Sequence, residues 1–184
     1  MFQIGHRLSY DFDCFSEKEL KRTLPRKVKR IFGSKISIKL ETSEQFSFLT
    51  REKIGITFAI HLYKPLKKPI KTKSIPVFHL EDLVANKAYT IGRRGAWRDY
   101  VDLFFILKWK ISSFKKIIKD TEQKFNGEFS PKLFLNQLVY FDDLKILPVE
   151  FLKEIYTPKQ IQNFLKQEVR KYLEDFKRKI KIKN

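Results

Sequence analysis

The sequence predicts an α+β protein, a small mixed sheet of about four strands followed by a helical carboxy-terminal half. Three observations carry that expectation. Four stretches within the first 63 residues, at 8–15, 36–40, 45–50 and 54–63, follow the two-residue period of a half-buried strand. From residue 79 onward the apolar residues recur at three and four instead, the spacing of one helix face. Hydrophobic residues make up 42% of the chain and include eighteen phenylalanines, which need a core to hide in and exclude a disordered polypeptide. The division that follows is a sheet portion over residues 1–78 and a helical portion over 79–184 that completes a cleft.

The first strand, LSYDFDCF, sends Ser9, Asp11 and Asp13 to one face and Tyr10, Phe12 and Cys14 to the other. Carboxylates on alternate strand residues lie roughly 6 to 7 Å apart, close enough to share a divalent cation or a pair of them. Residues 16–31, SEKELKRTLPRKVKRI, allow a helix capped by Ser16, with Glu19 as its capping-box partner and a break or kink at Pro25. Its Lys and Arg residues form a first basic patch, readable as a solvated face or as a phosphate contact. The next three strands are separated by short polar turns and are expected to form an antiparallel meander. The loop KPLKKPIKTKSIP that follows, with three prolines and five lysines, is too stiff and polar for a core element.

The stretch HLEDLVANKAYTIGRRGAWRDYVDLFFILKW reads as two helices joined at a basic, glycine-containing bend. In the first, Leu80, Leu83, Val84, Lys87, Ala88 and Ile91 share one stripe, with Lys87 its only charge. A lysine on an apolar stripe must snorkel to the edge or reach a negative partner. The second helix is apolar most of the way round and is expected to be buried on more than one side. Its Asp99 and Asp102 are three apart and share a face with Leu103 and Ile106, so one pocket could hold a cation and two anions. Beyond Trp109, Ser112 or Ser113 caps a helix ended by Gly127, and Ser130-Pro131 starts another. Asp142-Asp143 marks a turn or helix start. A last helix from Pro158 turns Ile161, Phe164, Leu165, Val169, Tyr172, Leu173 and Phe176 inward and frays into a basic tail, KRKIKIKN, a possible RNA clamp.

Bulk properties narrow the function. The lone Cys14 has no disulfide partner, and the three histidines are too scattered for a zinc site. No run approaches the ~20 apolar residues of a membrane span and the amino terminus has no signal-peptide core, so a cytoplasmic protein is expected. The formal charge of +18 favours a polyanionic partner, and without a lipidation signal or amphipathic anchor nucleic acid is favoured over membrane.

Two separated stretches, IGHRLSYDFDCFS and EDLVANKAYTIGRRGAWRDYVDLFFIL, resemble the metal-binding strand and the helix pair of the AbiEii/AbiGii toxin family, in the family's order. The segment from LVYFDDLKIL to VRKYL also resembles that family's carboxy-terminal part, so the likeness spans most of the chain. It implies a minimal nucleotidyltransferase-like fold in a toxin paired with a separate antitoxin, transferring a nucleotide from an NTP to an RNA, some relatives to transfer RNA. It implies further that Asp11 and Asp13 bind Mg2+ and that Lys87 stabilises charge on the transferring group. Asp99 or Asp102 would orient or deprotonate the acceptor hydroxyl, with the choice open. Ser9, Arg7, Arg94 and Arg98, with Arg93, would contact the nucleotide or its phosphates.

In that family a glycine-containing turn and a helix precede the metal-binding strand. Here Met1 stands four residues before Gly5, and the expectation is an amino-terminally truncated member lacking the first strand and the Gly-Ser turn. Two further readings stay open: an inactive relative that binds RNA through its basic faces, and a metal-dependent nuclease using the same residues.

Overall fold

A computed structural model of the chain describes residues 3–183, with side chains throughout except at Arg94 and residues 179–183. Four strands form one sheet, β1 (Asp11–Ser16), β2 (Ser37–Glu41), β3 (Gln45–Leu49) and β4 (Gly55–Ile60), in the order β1-β4-β3-β2. The meander expected of the last three is present, since β3 is antiparallel to both β2 and β4. β1 pairs with β4 in parallel, which makes the sheet mixed. Register then sorts the faces: Phe12, Ile56 and Phe48 share one, and Asp13, Thr57 and Ser47 share the other.

The apolar face is covered by helix α1 (Leu24–Phe32), whose Val28 joins Phe46 and Phe48 in a small core. The helix is capped at Thr23, seven residues later than the capping pattern at Ser16 suggested. Ser16 is the last residue of β1, paired with Ile60, and its hydroxyl is used in a local turn with Lys18. Pro25 lies in the first turn of the helix and does not break it, because a proline there has no intrahelical N–H to lose and its φ is already helical.

The chain separates into two compact units, Ser9–Tyr63 and a second built from Met1–Leu8 with Lys64–Asn184. Within the second, the amino-terminal segment lies antiparallel to residues 150–152. Leu8 N–H donates to the Glu150 carbonyl at 2.9 Å, and Leu152 N–H donates to the His6 carbonyl at 2.9 Å. Five helices follow: α2 (Leu80–Arg94), α3 (Trp97–Lys108), α4 (Phe114–Phe125), α5 (Pro131–Gln137) and α6 (Pro158–Lys183). α3 is buried on nearly every side, with Arg98 and Lys108 outside its buried set, as its all-round apolar pattern requires. Ser113 and Ser130 cap α4 and α5 by accepting from the N–H groups of Lys116 and Leu133. Asp142-Asp143 lies in a turn.

α6 departs from its pattern at the far end. Ile161, Leu165 and Val169 are buried, but Leu173 is 42% and Phe176 53% exposed, because past Val169 the helix outruns the core it packs on. Its backbone is helical through Lys183, so the tail does not fray there. Asn184 lies outside the described residues. Among the described residues no helix is long and apolar enough to cross a membrane.

Candidate functional site

In the sheet unit, Asp11 and Asp13 occupy alternate positions of β1 and point to the face opposite the phenylalanine core. Opposite Asp11 stands Gly55, and a Cβ there would come 2.5 Å from the Asp11 carboxylate oxygen Oδ1, so the glycine makes room for that carboxylate. Opposite Asp13 stands Thr57. Among the described residues no third His, Cys, Asp or Glu completes a ligand cage. Two carboxylates beside a neutral hydroxyl suit Mg2+, which is commonly bound through one or two carboxylates together with substrate phosphates and water. Ser9 lies just before the strand and is exposed.

The helical unit builds its own polar cluster from α2, α3 and the amino-terminal segment. The Lys87 ammonium donates to Asp99 Oδ1 at 2.6 Å and lies 3.1 Å from Asp102 Oδ2. Arg7 grips Asp102 from the other side, Nε to Oδ1 at 2.6 Å and Nη2 to Oδ2 at 3.0 Å, and its Nη1 donates to the Leu8 carbonyl at 2.9 Å. His6 Nε2 lies 2.7 Å from Asp102 Oδ1 and carries the proton there, since a carboxylate can only accept. Its Nδ1 is buried without a hydrogen-bond partner among the described residues, and its ring packs against Phe105.

Two cations meeting two carboxylates balance the charge, which is what lets so polar a cluster be buried. Burial works to raise the pKa of Asp102, but hydrogen bonds from His6 and Arg7 and the charges of Lys87 and Arg7 outweigh it and hold the carboxyl well below the usual range. For Lys87, burial works to lower the pKa, and the charges of Asp102 and Asp99 reverse that, leaving the ammonium above the ordinary lysine value. An ammonium has three donors. Two are committed to carboxylates, while the Lys87 side chain stays 24% exposed, so a third can reach a ligand.

Both carboxylates are buried, Asp102 at 0% and Asp99 at 5% exposure, and both have donors on each oxygen. They differ in how tightly those donors hold: Asp99 lies at the start of α3, where its Oδ2 reaches back to the Ala96 N–H at only 3.4 Å. Asp99 thus serves both Lys87 and the helix end. Gly95 makes the bend between α2 and α3 possible, since its φ is +32° and a Cβ would run into the Tyr100 ring. Burial, followed by the charges of Asp143 and Asp99, pushes the Tyr100 hydroxyl up to about 12.

The sequence pattern anticipated that Lys87, Asp99 and Asp102 would meet. The resemblance implied a phosphate contact for Arg7, but Arg7 is buried with its donors turned to Asp102 and Leu8. Arg93 lies over the Tyr89 ring and pairs with Glu128 at 3.2 Å. Arg98 is exposed on α3, and the Arg94 side chain lies outside the described residues. His6 was missed; its only signal was its place beside Arg7, immediately before the Asp-x-Asp strand.

The chain is similar to known proteins in sequence and in fold. An uncharacterized protein of Aquifex aeolicus (strain VF5), aq_aa25, is 27% identical over 183 residues, covering 95% of this chain and 84% of that protein. The crystal structure of JHP933 from Helicobacter pylori shares the fold with a TM-score of 0.50 at 17% identity, covering 96% of this chain and 82% of that one. The family model described as "Nucleotidyl transferase AbiEii toxin, Type IV TA system" matches residues 1–181. With the match running almost from end to end, the chain belongs to the AbiEii nucleotidyltransferase toxin family of type IV toxin–antitoxin systems.

Proposed function

We propose that this chain is a metal-dependent toxin that transfers a nucleotide from an NTP to a hydroxyl of an RNA, and that a separate antitoxin opposes it. The observation that carries this reading is the Lys87 ammonium, fixed between Asp99 and Asp102 with one donor to spare. In the reaction the acceptor oxygen bonds to the α-phosphorus, the bond to the bridging oxygen of pyrophosphate breaks, and the acceptor proton passes to a base. Lys87 stabilises the negative charge that grows on the transferring group, a role in which a preorganised cation is worth several kcal/mol. Of the two carboxylates, Asp99 is the acceptor-facing group that orients the hydroxyl or takes its proton. Asp102 is a positioning residue: with Arg7 and His6 behind it, it holds Lys87 in place. In the sheet unit, Asp11 and Asp13 would hold Mg2+, which when bound supplies charge neutralisation to the triphosphate. Ser9, Arg94 and Arg98 are the candidates for contact with the nucleotide phosphates.

The test is to incubate the purified chain with RNA, Mg2+ and each labelled NTP in turn. Label should pass to the RNA with release of pyrophosphate. Lys87→Ala and Asp13→Ala should each lower that transfer by at least about a hundredfold, a few kcal/mol of barrier, with far-ultraviolet circular dichroism unchanged. RNA cleavage without any NTP would overturn transfer in favour of a nuclease, and full activity in both variants would remove the residue assignment.

A further inference from the structure

Helix α1 carries charge that its own stability does not explain. Between residues 21 and 40 the chain holds eight Lys and Arg and no Asp or Glu. Every one of those cations is exposed, and none pairs with an acidic side chain among the described residues. Some exposed cations elsewhere are neutralised, Lys116 by Asp120 and Glu81, Arg170 by Glu174 and Lys171 by Glu168. Within α1, Arg26 repels Lys29 and Arg30 at three and four residues' distance, which disfavours the helix. Lys29 and Arg30 suit the negative end of the helix dipole. Arg26 and Lys27 do not, for they stand in a first turn that contains no acid.

A cationic face kept at a cost to the helix implies a polyanion that offsets the repulsion. The apolar side of α1 is already spent on the sheet, with Val28 buried and the Phe32 ring 5.4 Å from that of Phe48. Ile31 and the exposed edge of Phe32 are the apolar surface left beside the charges, far short of the broad apolar face an interfacial helix inserts into a bilayer. The one aromatic ring of α1, Phe32, is half-exposed but tilted against Phe48 and stands outside the charged set, so it is no free platform of the kind that stacks unpaired bases. What remains is contact with phosphates.

We propose that Arg26, Lys27, Lys29 and Arg30 of α1 form a docking face for the sugar-phosphate backbone of RNA, read without regard to base sequence. The identity of the polyanion rests on the RNA acceptor proposed above; the charged face does not. Binding of this kind releases counterions, so its affinity falls with salt at a slope set by the number of phosphates contacted.

The experiment measures binding of a fluorescein-labelled RNA hairpin to the full chain between 50 and 200 mM salt, by anisotropy. Compared are the wild type, the fourfold variant R26Q/K27Q/K29Q/R30Q and a control, K159Q/K166Q/R170Q/K171Q, with as many exposed charges removed from α6. The α1 variant should lose roughly three units of the log–log salt slope, at ~0.7–0.9 per phosphate contact, and bind at least tenfold more weakly at 100 mM salt. The control should lose less than one unit, and a hairpin of scrambled sequence should bind the wild type equally well. Equal losses in the two variants, or no loss in the α1 variant, would overturn the proposal. So would an α1 variant that keeps its RNA affinity and loses only binding to phosphatidylserine vesicles. Lys87→Ala should bind the hairpin like the wild type, which separates this docking face from the transfer chemistry: either can fail without the other.

Discussion

Asp102 is the residue on which the helical unit's polar chemistry turns, because its two oxygens receive His6, Arg7 and Lys87 from two different parts of the chain. Removing a buried carboxylate of this kind leaves cations without a counter-charge, at ~3–5 kcal/mol. Asp102→Ala should therefore lower the thermal midpoint by several degrees, and Asp102→Asn, which keeps the shape, should be less harmful to stability while still slowing transfer. The folded pKa of this carboxyl is depressed, so its stabilising contribution is fully present above the unfolded value of about 3.9 and is lost as pH falls below it. Urea titrations across acid pH should show the wild type losing stability below about pH 4, with the Asn variant weaker at neutrality and flatter in acid. A parallel acid profile would remove Asp102 from this role. Lys87 was legible as a lone charge on an apolar stripe and Asp99 with Asp102 as a pair one turn apart. His6 was not, since a histidine acquires a role only through the carboxylate that folding brings to it.

At the scale of elements, the connection into α2 depends on a pair that periodicity could not have found. Asp82 and Lys124 are both fully buried, the ammonium 2.7 Å from Oδ1, and the same carboxylate accepts the backbone N–H groups of Leu66 and Lys67 at 2.8 and 3.1 Å. One carboxylate thus ties α2, α4 and the start of the basic loop together. Burial lowers the Lys124 pKa, and Asp82 opposes that shift without cancelling it. Lys124→Met should cost ~3–5 kcal/mol by stranding Asp82, and the double variant D82L/K124M should recover part of it, because replacing both partners removes the unpaired charge. Denaturant midpoints of the three variants check this, and a double variant no better than the worse single one would contradict it. Pro25 teaches a related lesson. Its ring forbids a helix interior but suits a first turn, and only the pairing of Ser16 with Ile60 decides that the strand has not yet ended when the capping pattern begins.

For the whole molecule, the two compact units are unequal in what they bury. The unit Ser9–Tyr63 rests on Val28, Phe46 and Phe48, whereas α3 alone contributes a run of buried residues from Asp99 to Leu107. Small cores are marginal, and opening free energies follow the local density of buried contacts. Hydrogen exchange should show the α3 amides protected several-hundredfold longer than those of β3 and β4; equal protection would mean that the chain opens as one cooperative body. Local periodicity was enough for the α+β class and for the strand and helix succession, which depend on neighbours a few residues apart, and the resemblance of short stretches kept in order was enough for the family. The burial of His6 and Arg7 against Asp102, the Asp82–Lys124 tie and the exposure of the end of α6 rest on contacts between residues far apart in the chain. Such contacts are chosen by packing the assembled elements, and no window of sequence contains them.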